Sequence, residues 1–264
     1  MSEERLRLDA IILAGATAGE ADPLLQGTGV ATKALLPIIG KPMVVYVEEA
    51  LRASGCVDRI VCVGLGPEDG GSFSGAVVRL AAQGDIVANT LAGLDWLRAT
   101  GRISPYVLIA SSDIPLLTGP VVARFADTCV KRGGDLFYSV VEKSILEAAF
   151  PGSGRSYAHL RDGYWDGGDL FMMRSDLSMQ KVQMMRDLIA QRKDALKMAR
   201  VLGPRFLLAI VLRRLTLADA ERRVSQILGI EGRVVASPDW ELAMDVDKPH
   251  QLEMVIRYME MHRA

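Results

Sequence analysis

Three short stretches of the chain hold residues able to do phosphate chemistry. The first is "DAIILAGATAGEADPLL", Asp9–Leu25, where an apolar run from Ala10 to Leu13 gives way to small and acidic residues. A loop of small residues after a strand lets backbone N–H groups approach a phosphate chain closely. Leu13, Ala14, Gly15 and Ala16 open that loop, and the same residues also suit a plain tight turn into a helix. The loop is neither a GxxxxGK[ST] nor a GxGxxG motif. The second stretch is "SSDIPLL", with Asp113 at the end of a buried strand pattern. A carboxylate there costs free energy unless something pairs with it, and magnesium takes one or two carboxylates together with phosphate oxygens. A turn aspartate ahead of Pro115 is the structural alternative. The third stretch is "MDVDKP", in which Val246 separates Asp245 from Asp247. On a strand the two acids would share one face, and Asp247 equally suits the cap of a helix starting near Pro249.

The elements that must position these groups are legible as alternating patterns. Apolar, β-branched runs recur at "AIILAG", "RIVCVG" (Arg59–Gly64), "YVLIASSD" (Tyr106–Asp113), "DLFYSVV" (Asp135–Val141) and "RVVAS" (Arg233–Ser237). Helical patterns lie between them: "PMVVYVEEALRASG", "NTLAGLDWLRATG" with Asn89 or Thr90 at the N-cap, and "TGPVVARFADTCVKRGG". Such alternation predicts a mostly parallel sheet covered on both faces, with ligands at the carboxyl ends of its strands. From about Ser175 to Leu228 the pattern is helical throughout, broken at Gly203–Pro204, and is expected to form a helical subdomain inserted into a single domain spanning 1–264.

Composition narrows the function classes. The chain has 264 residues, 50% apolar and 24% charged, enough for a real core. A net charge of −1 gives no global field to draw in nucleic acid. Cys56, Cys62 and Cys129 form no CxxC, and a reduced, cytoplasmic protein is the expectation. His159, His250 and His262 are too scattered for an ordinary zinc site.

In order along the chain, the loop, "TKALLPIIGKPMVVYVEEAL", "SSDIPLL", "GGDLFMM" and "MDVDKPHQLEMV" resemble the GT-A-like nucleotidyltransferases, and among them the MobA-like NTP transferases. The resemblance implies a Rossmann-like, GT-A three-layer α/β sandwich. It also implies a magnesium-dependent enzyme that transfers an NMP from an NTP to a phosphorylated small-molecule acceptor and releases pyrophosphate. By this resemblance Leu13 to Ala16 wrap the triphosphate, and Lys33 serves both nucleotide binding and catalysis. Asp113 holds magnesium, joined by Asp245 or Asp247. Asn89 lies near base- and ribose-contacting positions, with a helix cap as its alternative, and Gly168 and Asp169 present the acceptor. Lys41 belongs to a turn. Two departures stand out: Ala16 replaces a usual glycine, and no Lys or Arg occurs from Thr17 to Gly29.

The segment from Lys181 to Arg223 is cationic in a nearly neutral chain, with eleven basic residues against four acidic. Its "RFLLAIVLRRL" is too short to span a bilayer. The segment suits a packed helical layer, a platform for an anionic acceptor through Arg213 and Arg214, a weak membrane-surface contact or a homodimer interface. Three function classes follow: a nucleotidyltransferase, a nucleotide-binding protein without catalysis, and a peripheral membrane or interaction protein. The lipid-phosphate variant of the first joins it to the third.

Overall fold

The computed structural model describes residues 6–15, 22–190 and 203–262. Strands β1 (Leu8–Leu13), β4 (Val57–Val63), β5 (Val77–Leu80), β6 (Tyr106–Ser111), β7 (Leu136–Glu142), β9 (Gly163–Arg174) and β10 (Gly232–Ser237) form one sheet in the order β10-β7-β9-β6-β1-β4-β5. A short β8 (Ala158–Leu160) forms a hairpin with β9. The β1–β4, β1–β6, β4–β5 and β7–β10 pairs are parallel, while β9 runs antiparallel to both β6 and β7. The two-residue strands β2 (Pro37–Ile38) and β3 (Lys41–Pro42) form a separate ribbon.

Alternation along the strands splits the interior into two cores. Ala10 and Ile12 of β1 face the core shared with α1 (Met43–Ala53), α3 (Gly119–Arg132), α4 (Lys143–Ala149) and α8 (Pro249–Met261). Ile11 between them faces the other core, built with α2 (Ile86–Ala99), α5 (Met179–Ala190) and α7 (Leu217–Leu228). The result is a three-layer α/β sandwich with a mostly parallel sheet.

Within the helical segment α5, α6 (Pro204–Val211) and α7 are observed, while 191–202 lie outside the described residues. Arg186 of α5 pairs with Asp85 at 2.5 Å, which fastens α5 to the start of α2. Helix α2 begins earlier than its sequence pattern predicts. Its cap is Asp85, whose extended backbone lets Oδ1 accept from Val87 and Ala88 N–H at 3.0 and 2.9 Å, so neither Asn89 nor Thr90 caps it. Among the described residues no helix is long and apolar enough to cross a membrane, and the three cysteines are buried and free.

Candidate active site

The carboxyl ends of β1 and β6 lie side by side, because Leu13 pairs with Ser111 and its carbonyl accepts from Ser112 N–H at 3.1 Å. Ala14 is buried and tied into the sheet. Its N–H donates to Val63 O at 2.8 Å, and its carbonyl accepts from Thr32 Oγ1 at 3.3 Å. Gly15 is the last residue of this loop that the structure describes before Asp22. A Cβ on Gly64 would stand 2.0 Å from Gly15 N, so the loops after β1 and β4 approach as only glycine allows. Asn89 is buried beside them: its Oδ1 accepts from Gln83 N–H at 2.7 Å, and a Cβ on Gly15 would meet its Nδ2 at 2.7 Å. Ala16 lies outside the described residues.

Thr32, anchored on Ala14, starts the single turn Lys33–Leu35. Lys33 Nζ lies 2.7 Å from Asp113 Oδ2 and 2.6 Å from Asp247 Oδ1. The sequence-distant acids meet because Val246 N–H donates to Asp113 O at 2.9 Å. Residues 244–247 are not a strand, yet Asp245 and Asp247 both reach Asp113 from the two sides of that bond. Their carboxylate oxygens and that of Asp113 lie within 4.8 Å of one another. Asp247 does not cap α8. The N-cap is Lys248, and Gln251 inside the first turn reaches back, its Oε1 accepting from the N–H groups of Asp247 and Lys248 at 2.9 Å each.

Arg155 is the site residue that the sequence did not reveal. Its Nε donates to Asp166 at 2.8 Å, and its Nη1 forms an ion pair with Asp245. The loop that carries it is held by α8. Ser153 O accepts from Gln251 Nε2 at 3.1 Å and lies 3.0 Å from His250 Nε2, and Gly154 O accepts from Lys248 Nζ at 3.1 Å. The only signal in sequence was a small-residue run, "GSGR", ending in a cation.

The β7–β9 pairing slips between Tyr138 and Val140, and Gly168 and Asp169 lie in the resulting bulge. A Cβ on Gly168 would stand 2.2 Å from Ser139 Oγ, so β7 leaves no room for a side chain there. Arg213 and Arg214 sit apart, exposed in the turn after α6, with Arg213 at a left-handed φ of 54°. That turn leads past the β8–β9 hairpin, where Arg161 N–H donates to Leu215 O at 2.8 Å. Lys41 is structural: it pairs with Glu49 at 2.6 Å and covers the Tyr46 ring.

The site crowds negative charge. Burial by itself would lower the Lys33 pKa, but Asp113 and Asp247 outweigh it and hold the ammonium firmly protonated. Burial, then Asp113, pushes the Asp245 carboxyl up to about 8 despite Arg155. Burial, then Asp245 and Asp113, raises Asp169 well above the usual carboxylate range. Burial opposes the ionisation of Asp247, but hydrogen bonding to Asp245 and Lys33 holds its pKa below the ordinary value. Asp245 Oδ1 has its ion pair but no hydrogen bond of proper geometry. Carboxylates held in such excess fit a further cation, and all-oxygen donors select a hard one. Asp113, Asp245 and Asp247 are the residues that would hold it.

Comparison with known proteins identifies the family and the fold. A family model described as the MobA-like NTP transferase domain matches residues 10–168. The chain is similar to a hypothetical transferase from Thermus thermophilus, at 36% identity and a TM-score of 0.81, over 94% of this chain and 100% of that one. Two further likenesses are of fold. One is to a 4-diphosphocytidyl-2C-methyl-D-erythritol synthase from Anaerococcus prevotii, at 10% identity and a TM-score of 0.59, over 97% of this chain and 100% of that one. The other is to a CMP:2-keto-3-deoxy-manno-octonic acid synthetase complexed with CTP, at 15% identity and a TM-score of 0.57, over 97% and 99%. Among curated proteins none matches the chain.

Proposed function

The chain belongs to the MobA-like NTP transferase family, and from that premise we propose that it is a magnesium-dependent enzyme transferring an NMP from an NTP to a phosphorylated acceptor. An acceptor phosphate oxygen forms the new bond to the α-phosphorus. The bond from the α-phosphorus to its bridging oxygen breaks, and pyrophosphate leaves with the electron pair. The acceptor dianion already carries the nucleophile's charge, so no strong base is needed and the enzyme's work is alignment and charge neutralisation.

The observation that carries this reading is the meeting of Lys33 with Asp113 and Asp247 at the carboxyl ends of β1 and β6. Magnesium, when bound, supplies Lewis-acid stabilisation of charge on the phosphate oxygens. Backbone from Gly15 onward receives the triphosphate, and Lys33, fixed next to that loop by Thr32, neutralises the outgoing pyrophosphate. Arg155 stands on the β9 side of the acids and suits the acceptor phosphate, to which a guanidinium offers paired donors. Gly168 and Asp169 line that approach, and Arg213 and Arg214 add positive charge beyond it. A reducing, cytoplasmic setting suits the three buried free thiols.

The test is pyrophosphate release with each of the four NTPs and a panel of phosphate monoesters, with magnesium and with EDTA. Magnesium-dependent release with one NTP is the expected result. Absence of release, with NTP binding intact, would make the protein a nucleotide binder without catalysis.

A further inference from the structure

Among the described residues, the layer of α2, α5 and α7 does not close on the sheet. It leaves a cavity of about 680 Å³, well inside the roughly 300–1,000 Å³ of small-molecule sites. Its walls are apolar: Leu136 on β7, Phe171 and Met173 on β9, Val182 on α5, Val224 and Leu228 on α7. An empty space of this size between packed layers forfeits dispersion contacts, a loss that an apolar ligand would restore.

Its position indicates which ligand. Leu13, the last residue before the phosphate loop, lines the cavity, and so do Asp166 and Gly167. The side chain of Asp166, which shares the filled face with its cross-strand partner Val141, is joined through Arg155 to Asp245, so the Asp166–Gly167 end of the cavity and the acidic cluster flank the same edge of β9. Ile86, at the start of α2, also lines it and is 44% exposed. Helix α2 starts beyond the carboxyl end of β5, so this opening is on the same end of the sheet as Asp113. A second observation points the same way. Leu208, Val211 and Leu212, on and just after α6, are 57%, 76% and 48% exposed and are followed by the exposed Arg213 and Arg214. An apolar edge next to cations suits the surface of an anionic amphiphile, and α6 connects the two helices that wall the cavity.

We propose that the acceptor is a phosphate monoester of an aliphatic alcohol, its hydrocarbon chain held in this cavity and its phosphate at the Arg155 side of the acidic cluster. The role of that phosphate rests on the transferase reading, whereas the affinity of the cavity for the chain does not.

The experiment is calorimetric titration of the whole protein, with magnesium present, by butyl, hexyl and octyl phosphate. Affinity should rise on the order of fourfold for each methylene that is fully buried, so octyl phosphate should bind at least about tenfold more tightly than butyl phosphate. Ala220→Trp, in the α7 wall, should flatten that dependence and leave NTP affinity unchanged. Ala158→Trp, at the exposed β8 rim, should do the same without disturbing the layer interior. Equal affinity for the three alkyl phosphates overturns the proposal, as does a chain-length dependence that neither substitution alters. If the wild type binds octyl phosphate with the expected dependence but binds no NTP, the transferase reading fails and the cavity assignment stands. If it binds NTP but no alkyl phosphate, only the cavity assignment fails.

Discussion

The two faces of the sheet are filled to different degrees, although apolar residues build both. On the face of α1, α3 and α8, large side chains such as Phe137, Met43 and Leu51 are completely buried in one continuous core. On the face of α2, α5 and α7, the opposing helices leave the large apolar space described above. Hydrophobicity therefore does not separate a core from a pocket; the reach of the opposing layer does. The clustered acids are rooted in the filled face. Asp113 is followed by Ile114, and Asp245 lies between Met244 and Val246, all members of that core. Dense packing gives charged groups fixed positions, and the hollow face is the space proposed above for the acceptor's hydrocarbon chain.

The largest expected effect is on chemistry. Asp113→Asn should lower turnover about ten-thousandfold, about 5 kcal/mol of transition-state stabilisation, while the melting temperature moves by only a few degrees. An equal loss of stability would make the cluster a packing element and erase the contrast. Next, Phe137→Ala in the filled face should cost about 4 kcal/mol in denaturant unfolding; a cost under about 1 kcal/mol would show that this face also has slack. Arg155→Ala strips Asp166 and Asp245 of their buried partner and should destabilise by about 3 kcal/mol. Added magnesium should recover part of that loss, and thermal melts with and without the ion decide the point. Lys33→Ala should weaken NTP binding roughly tenfold, about 1.4 kcal/mol; unchanged affinity by titration would remove Lys33 from the nucleotide site. The smallest effect should come from the hollow face. Val224→Ala should cost less than about 1 kcal/mol, since the wall it trims already lacks neighbours. A cost near that of Phe137→Ala would mean the two faces pack alike.

The strands between the two faces were legible where burial is continuous. β1, β4 and β6 stand out as apolar runs because both sides of each are covered, and β7 and β10 stand out through the side that packs on the filled face. β9 was not legible as a strand: Gly167, Gly168 and Asp169 interrupt its apolar pattern at the bulge. The β2–β3 ribbon turns at Ile39 and Gly40, both at positive φ (47° and 79°), and a β-branched residue gives no hint of such a turn. In the site, Asp113, Asp245, Asp247 and Lys33 could be named from short motifs, and the structure brings the four together. Arg155 could not, since its meaning comes from Asp166 and Asp245, carboxylates that only the β8–β9 hairpin and the approach to α8 bring near. The cavity was equally invisible, because periodicity reports which side chains point inward and not whether anything meets them.

The contact between Lys33 and Asp247 spans 214 positions of the chain, and this bears on synthesis. A ribosome releases residues in order, and N-terminal parts fold first. The loop after β1 and Lys33 emerge early, but Asp245 and Asp247 belong to the last segment before α8. The link from Val246 N–H to Asp113 O therefore forms only when the segment before α8 docks. Closing so long a loop carries an entropic cost that local contacts do not repay. A chain made only as far as α7 would hold Asp113 and Lys33 without the late acids, so the cluster proposed to hold magnesium is complete only after Asp247 has been added.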